Sequence, residues 1–157
     1  MEPVLYVISQ MRSLNATVVD HPFMTDLAEE MGQKAFFPPS VFSYFSPGYR
    51  IRATTLGGPE FQILTSVTSL VRTNFVARLL SGGFGTDVTI DYTPFTSKAA
   101  DPAVLVDFCN LLFMGGQMSA AQRAEIISAA SATSNATDRV QTAIYLTLTA
   151  AQFQVDR

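Results

Sequence analysis

Apolar side chains recur at helical spacing at the start of the chain. The face that they form consists of Val4, Val7, Ile8, Met11 and Leu14. Because these positions are three or four residues apart, they predict a first helix over about residues 4–14. A second helix is predicted to begin near Pro22, which suits the first turn of a helix, and to stop at Gly32.

The longest helical pattern follows the turn residues Gly57-Gly58-Pro59. It predicts a helix over about residues 59–80 that is the longest element and lies at the centre of the fold. Its predicted buried stripe consists of Phe61, Leu64, Val67, Leu70, Val71, Phe75 and Leu79.

Three more helices are predicted in the last third of the chain, two of them from capping signals. Asp101-Pro102 is typical of a helix start, and Gly115-Gly116 predicts where that helix ends. Ser119 begins a capping-box pattern for a helix to about residue 131, and a final helix is predicted from about Ala136.

One long segment is predicted to be irregular. Residues 36–49 are interrupted by Pro38, Pro39 and Pro47, and proline breaks regular structure. At most one helical turn, over residues 40–45, is expected there.

A short extended piece is predicted further along, where residues 86–92 alternate between apolar and polar side chains without an evident partner strand. The whole pattern predicts a mainly α fold. We expect a single-domain bundle of five or six helices over residues 1–157, with one aromatic- and proline-rich irregular segment and at most this extended piece.

The composition argues against two kinds of function. The net charge is −3, and the chain has only two lysines, Lys34 and Lys98, among scattered arginines. Nucleic-acid binding usually needs a basic patch, and none is visible. No run of about 18 apolar residues is present, so no transmembrane helix is expected.

The scarcity of cysteine and histidine limits the chemistry of the chain. Cys109 is the only cysteine, which excludes an internal disulfide and a cysteine-based zinc site, and we predict that it is buried and unreactive. His21 is the only histidine, and its place before a predicted helix favours a loop or capping role over catalysis. Neither a metal nor a cofactor is predicted.

Three carboxylates near helix ends and turns are the candidates for hydrolysis: Glu60, Asp87 and Asp91. A glycosidase needs two carboxylates at a fixed separation. The simpler interpretation is structural, because Glu60 in a first helical turn stabilises the helix dipole and the two aspartates form the solvated face of the extended piece.

The irregular segment is unusually aromatic. Its aromatic side chains are Phe36, Phe37, Phe42, Tyr44, Phe45 and Tyr49. Because Tyr and Arg are enriched where proteins bind partners, we predict Tyr44, Phe45, Tyr49 and Arg50 as binding residues, with Arg52 beside them. The alternative, favoured for the phenylalanines, is that the segment packs these rings into the core.

Four stretches of the chain carry a family resemblance. They read MGQKAFFPPSVFSYFSPGY (residues 31–49), GPEFQILT (58–65), DPAVLVDFCNLLFMGGQMSAAQRAEI (101–126) and RVQTAIYLTLTAAQFQVDR (139–157). In this order they resemble the C-terminal half of the bacterial domain-of-unknown-function family 1800. The resemblance implies a longer parent protein with an N-terminal helical portion, and an exported or periplasmic location, although no signal peptide is expected in this chain. It implies no activity.

Two functional hypotheses follow. The first is a non-catalytic helical module for binding or assembly, with the aromatic segment at the contact. The alternative is a hydrolase, glycosidase-like or other, with carboxylates in a groove beside the long helix, so whether the chain is an enzyme stays open. The expected partners are a second copy of the chain or the N-terminal half of the parent, through the aromatic segment or the first helix, chiefly Val4, Val7, Ile8 and Met11.

Overall fold

The computed structural model describes residues 1–19 and 23–155, and most of them are helical. The helices of eight or more residues are α1 (Pro3–Ser13), α2 (Phe23–Glu30), α3 (Ser66–Leu80), α5 (Pro102–Met114), α6 (Ala120–Ser131) and α7 (Ala136–Thr149). Single turns form α4 (Thr93–Thr96) and α8 (Ala151–Gln154), and a 3-10 helix spans Pro59–Gln62. The predicted mainly α fold is therefore confirmed.

Helix α7 is the central element of the bundle. It packs against α3, α4, α5, α6 and α8. Its buried side chains are Val140, Ala143, Ile144, Thr147 and Leu148. The prediction that the helix ending at Leu80 occupies the centre is wrong, because α3 packs on one side of α7 while α5 and α6 cover others.

Side-chain caps begin α5 and α6 where the sequence predicted. The Asp101 carboxylate accepts hydrogen bonds from the amides of Ala103 (2.8 Å) and Val104 (3.3 Å) at the start of α5. Ser119 accepts one from the Gln122 amide at the start of α6. Gly115 has a φ of 57°, a left-handed conformation that ends α5.

The predicted helix over residues 59–80 is broken in two. The 3-10 helix ends at Gln62, and α3 begins only at Ser66. Thr65 and Thr68 form the new start, because the Thr65 hydroxyl accepts from the Thr68 amide (3.2 Å) and the Thr68 hydroxyl from the Thr65 amide (2.8 Å). With 15 residues, α3 is still the longest helix in the described parts of the chain.

The buried face of α3 also differs from the predicted stripe. Val67 is 70% exposed and Leu70 is 59% exposed. The buried side chains are Arg72, Phe75, Val76, Leu79 and Leu80. Phe75 and Leu79 were predicted correctly, but a pattern search that places charges outside cannot find a face that contains a buried arginine.

The extended piece has a partner strand that the sequence pattern did not reveal. Strand β1 (Thr17–Val18) pairs antiparallel with β2 (Val88–Thr89), and Val18 lies opposite Val88. The pair joins the end of the α1 region to the segment between α3 and α4. The predicted extended piece is confirmed, and it belongs to a two-stranded sheet.

Helix α1 packs most of its predicted apolar face into the core, and Leu5 and Ile8 stay exposed. Tyr6, Val7, Met11 and Leu14 are all buried, and only Ile8 of the predicted contact residues is exposed. The expectation that Val7 and Met11 meet a partner is therefore wrong, since they already pack within the chain.

Candidate functional site

Residues 31–58 form an irregular segment between α2 and the 3-10 helix, which includes the predicted irregular residues 36–49 and is longer. The helical turn expected over residues 40–45 is absent. Ser40 and Ser43 instead form a β-bridge across a turn, and Ser43 has a φ of 74°, which a right-handed helix cannot contain. We call residues 34–58 the aromatic lobe.

The aromatic lobe exposes apolar side chains, which we call the apolar tips. These are Phe36, Phe37, Val41, Phe42 and Leu56. Phe36 is 93% exposed and Val41 is 95% exposed, so both project almost entirely from the protein. The interpretation that these phenylalanines fill the core is therefore wrong.

The predicted binding residues belong to the lobe but are not among its apolar tips. Tyr44, Phe45 and Tyr49 are half-buried, and Arg50 is exposed. The Tyr44 hydroxyl donates a hydrogen bond to the Lys34 carbonyl. The structure thus brings these four residues into the same lobe as the apolar tips, although Val41 and Leu56 were not predicted. Both belong to short runs flanked by Ser, Thr or Gly, which carry no helical or strand periodicity.

Local hydrogen bonds give the lobe a defined shape. The amide of Ser46 donates to the Gln62 side chain (2.7 Å), and the amide of Ile51 donates to the Leu56 carbonyl (3.0 Å). Arg50 and Gly57 form a β-bridge that closes the second loop of the lobe. These contacts tie the lobe to the 3-10 helix and fix its turns.

The stretches of chain on either side of the lobe lie next to each other. A Cβ atom at Gly32 would be 3.4 Å from the Cβ atom of Ile63. Gly32 has a φ of 97°, which L side chains rarely adopt, so this glycine turns the chain out of α2. The lobe leaves and rejoins the helical bundle at one place.

The charge of the lobe differs from that of the rest of the chain. Residues 31–59 contain three basic side chains, Lys34, Arg50 and Arg52, and none of the thirteen acidic residues. Lys34 pairs with Glu29 at 3.1 Å, just outside this stretch. Arg50 and Arg52 are exposed and form no ion pair with a described residue.

The three predicted catalytic carboxylates do not share one groove. Glu60 lines a groove of about 170 Å³ together with Glu2, Leu5 and Gln154, and neither aspartate is among the described residues of that groove. Asp87 and Asp91 flank β2.

Asp91 forms a local turn hydrogen bond in the structure. Its carboxylate accepts a hydrogen bond from the Thr93 amide (2.9 Å) beside α4, and the hydrogen bonds from Thr93 lower the pKa of Asp91 below its ordinary value. Such a carboxylate is ionised at neutral pH and is not set up as a general acid.

The described residues offer little other chemistry. Within residues 1–19 and 23–155, no three His, Cys, Asp or Glu side chains cluster in a way that could hold a metal ion. His21 lies outside the described residues. Cys109 is buried, as predicted, and burial raises the pKa of its thiol to about 12.

A family model described as "Protein of unknown function (DUF1800)" matches residues 1–155. The chain belongs to the DUF1800 family. This confirms the resemblance of the four sequence stretches, and the DUF1800 description names no activity. Neither a curated protein nor a solved structure matches the chain significantly.

In this DUF1800 chain, no helix of the described residues is both long enough and apolar enough to cross a membrane. The most unusual feature of the described surface is the aromatic lobe, with its exposed apolar tips, half-buried tyrosines and exposed arginines.

Proposed function

We propose that this DUF1800 chain is a non-catalytic binding and assembly module that contacts its partner through the aromatic lobe. The observation that carries the proposal is the exposure of the apolar tips on a lobe whose turns are fixed by hydrogen bonds. Clustered apolar surface that stays in water is typical of an interaction site.

The energetics support a contact at the lobe. Full burial of one Phe, Val or Leu side chain contributes about 1.5–3 kcal/mol. Because the turns of the lobe are already fixed, binding costs less conformational entropy than the ordering of a free loop. The lobe also contains residue types that often dominate binding energy, namely Tyr44, Tyr49 and Arg50.

The experiment is site-specific photo-crosslinking in cells of the native host. A photoreactive amino acid at position 42, on an apolar tip, is compared with one at position 67, an equally solvent-accessible position on α3. We expect a discrete adduct from position 42 and none from position 67. Equal crosslinking from both positions, or none from position 42, contradicts the proposal.

A hydrolase is the second candidate, because Glu60 and Glu2 share one groove. Asp87 and Asp91 would then have to act at a separate place. Glu60→Gln keeps the shape of the side chain and removes its charge, so a screen of hydrolase substrates with this variant as control tests the candidate. Turnover that Glu60→Gln abolishes supports it, and turnover that the variant retains, or no turnover, argues against it.

A further inference from the structure

We infer that the partner of the aromatic lobe is the surface of a lipid bilayer that carries anionic headgroups. The apolar tips would lie among the headgroups, and Arg50 and Arg52 would face the lipid phosphates and carboxylates. This inference rests on the proposed function, because it names the partner of the same surface.

The shape of the lobe fits a fluid surface. Phe36 and Val41 project from separate turns and have almost no neighbours of their own chain. A protein partner would need a matching pocket for each projection, whereas mobile headgroups close around any projection. Apolar area inserted at the interface and attraction to anionic lipids are the two contributions that hold proteins on bilayers.

The tyrosines of the lobe are suited to the headgroup region of a bilayer. Tyrosine is enriched where membranes meet water, because its ring is apolar and its hydroxyl is polar. Tyr44 lies two residues after the apolar tip Phe42 in the sequence, and both Tyr44 and Tyr49 are half-buried. They would lie at headgroup level when the tips are inserted.

The charge distribution selects which side of the protein approaches an anionic surface. The whole chain has a net charge of −3, yet residues 31–59 carry only basic charges. Anionic lipids therefore attract the lobe more strongly than the rest of the chain, which carries all of the acidic residues. A second copy of the chain would also offer acidic surface to these arginines. The vesicle and self-association measurements below distinguish this partner from a bilayer.

Internal hydrogen bonds in the turns of the lobe lower the cost of moving its backbone out of bulk water. Polar backbone groups that lose water without a partner are costly. In the lobe, the amide of Ser43 donates to the Ser40 carbonyl (3.1 Å), and the amide of Tyr49 donates to the Ser46 carbonyl (3.0 Å). Because these turns close on themselves, shallow insertion leaves fewer backbone groups unsatisfied.

Tryptophan fluorescence provides the direct test, because the chain contains no tryptophan. Val41→Trp reports from an apolar tip, and Val67→Trp is the matched control on α3. Each is mixed with vesicles of phosphatidylcholine alone and with vesicles that also contain phosphatidylserine. We expect a blue shift and quenching by brominated lipids for position 41, strongest with phosphatidylserine, and neither change for position 67.

Vesicle sedimentation then separates the two contributions. Each arginine near an anionic surface strengthens binding about fivefold, so Arg50→Gln with Arg52→Gln should lower partitioning onto phosphatidylserine vesicles roughly thirtyfold. Phe36→Ser with Phe42→Ser should lower it on both vesicle types, and Val67→Ser with Leu70→Ser should leave it unchanged. Circular dichroism of every variant verifies that the helices are intact.

The negative outcomes can be told apart. If position 41 shows no blue shift and the chain does not sediment with either vesicle type, the bilayer inference is overturned. A protein adduct from position 42 in the crosslinking experiment would then preserve the proposed function. Self-association that Phe36→Ser with Phe42→Ser abolishes would name a second copy as the partner instead.

Discussion

The guanidinium of Arg72 lies 4.9 Å from the centre of the Tyr6 ring, and both side chains are almost fully buried. Arg72 donates one hydrogen bond to the Met1 carbonyl (3.0 Å), while its Nε and Nη1 atoms have no hydrogen-bond partner. No carboxylate of a described residue pairs with it. The aromatic ring and one carbonyl therefore carry most of the stabilisation of this buried cation.

We expect Arg72→Met to be close to neutral or stabilising. A buried charge with unsatisfied donors is often replaced by an apolar side chain of similar length without loss. Arg72→Ala should instead destabilise by about 2–4 kcal/mol, because it leaves a cavity against Tyr6. Urea denaturation measures both free energies of unfolding. Equal destabilisation by the two variants would show that the charge itself is needed.

The stability of the fold should decline at alkaline pH because of Tyr6. Burial raises the pKa of Tyr6 from 10.0 to about 12, so the folded state holds this proton more tightly than the unfolded state. The stabilisation is complete below pH 10 and is lost as the pH rises towards about 12. Denaturant titrations across this range measure it.

Tyr6→Phe should flatten that decline. Cys109 titrates in an overlapping range, since burial raises its pKa from 9.0 to about 12. The comparison is therefore made in a Cys109→Ala background. An identical pH slope with Tyr and with Phe at position 6 would exclude Tyr6 as the cause.

Two leucines of α3 should respond differently to the same substitution. Leu70→Ala should change the free energy of unfolding by less than about 0.5 kcal/mol, because Leu70 is mostly exposed. Leu79→Ala should cost about 2–5 kcal/mol, because Leu79 is buried in the core. Thermal and urea unfolding of the pair test this. A larger cost at Leu70 would restore the originally predicted stripe.

Removal of the α5 cap should weaken the fold measurably. Asp101→Ala leaves the amides of Ala103 and Val104 without their acceptor, and the expected cost is about 1 kcal/mol. Glu125→Ala, an exposed change within α6, serves as the control and should be nearly neutral. Equal effects of the two substitutions on urea unfolding would contradict the capping role.

Cys109 should react slowly with a thiol reagent in the native protein and rapidly in urea. The thiolate is the reactive form, and burial raises the thiol pKa to about 12. Labelling followed by mass spectrometry measures the two rates. Rapid labelling without denaturant would show that α5 opens readily.

Capping residues in the sequence predicted where helices begin and end, because a cap acts on the backbone within one turn. Asp101, Ser119 and Gly115 act within one turn of their own positions, and the helices begin and end there. The partner of β2 could not be predicted in this way, because Thr17–Val18 lies about seventy residues earlier and only the assembled bundle brings the strands together. The face of α3 was mistaken because a buried arginine interrupts its apolar pattern.

The sequence predicted which segment forms the candidate site but did not predict that its apolar side chains are exposed. The aromatic residues of the lobe were found from composition, and their exposure was not, because apolar residues on a surface follow no periodic rule. Phe36 and Phe37 look like core residues until it is known that α1, α3 and α7 already fill the core with other side chains. In the folded chain, Tyr44 and Tyr49 are half-buried whereas the apolar tips are exposed. The sequence does not reveal this difference, because it depends on how the turns orient each side chain.

The adjacency of Gly32 and Ile63 makes the lobe a detachable unit. Because the chain departs and returns at neighbouring positions, a short linker can bridge residues 32 and 63 without stretching the bundle. Changes in loop length add only slowly to the entropy of closure. The helical bundle can therefore act as a scaffold that accepts lobes of different length and sequence. Grafting another loop at this junction would change which partner the same core binds.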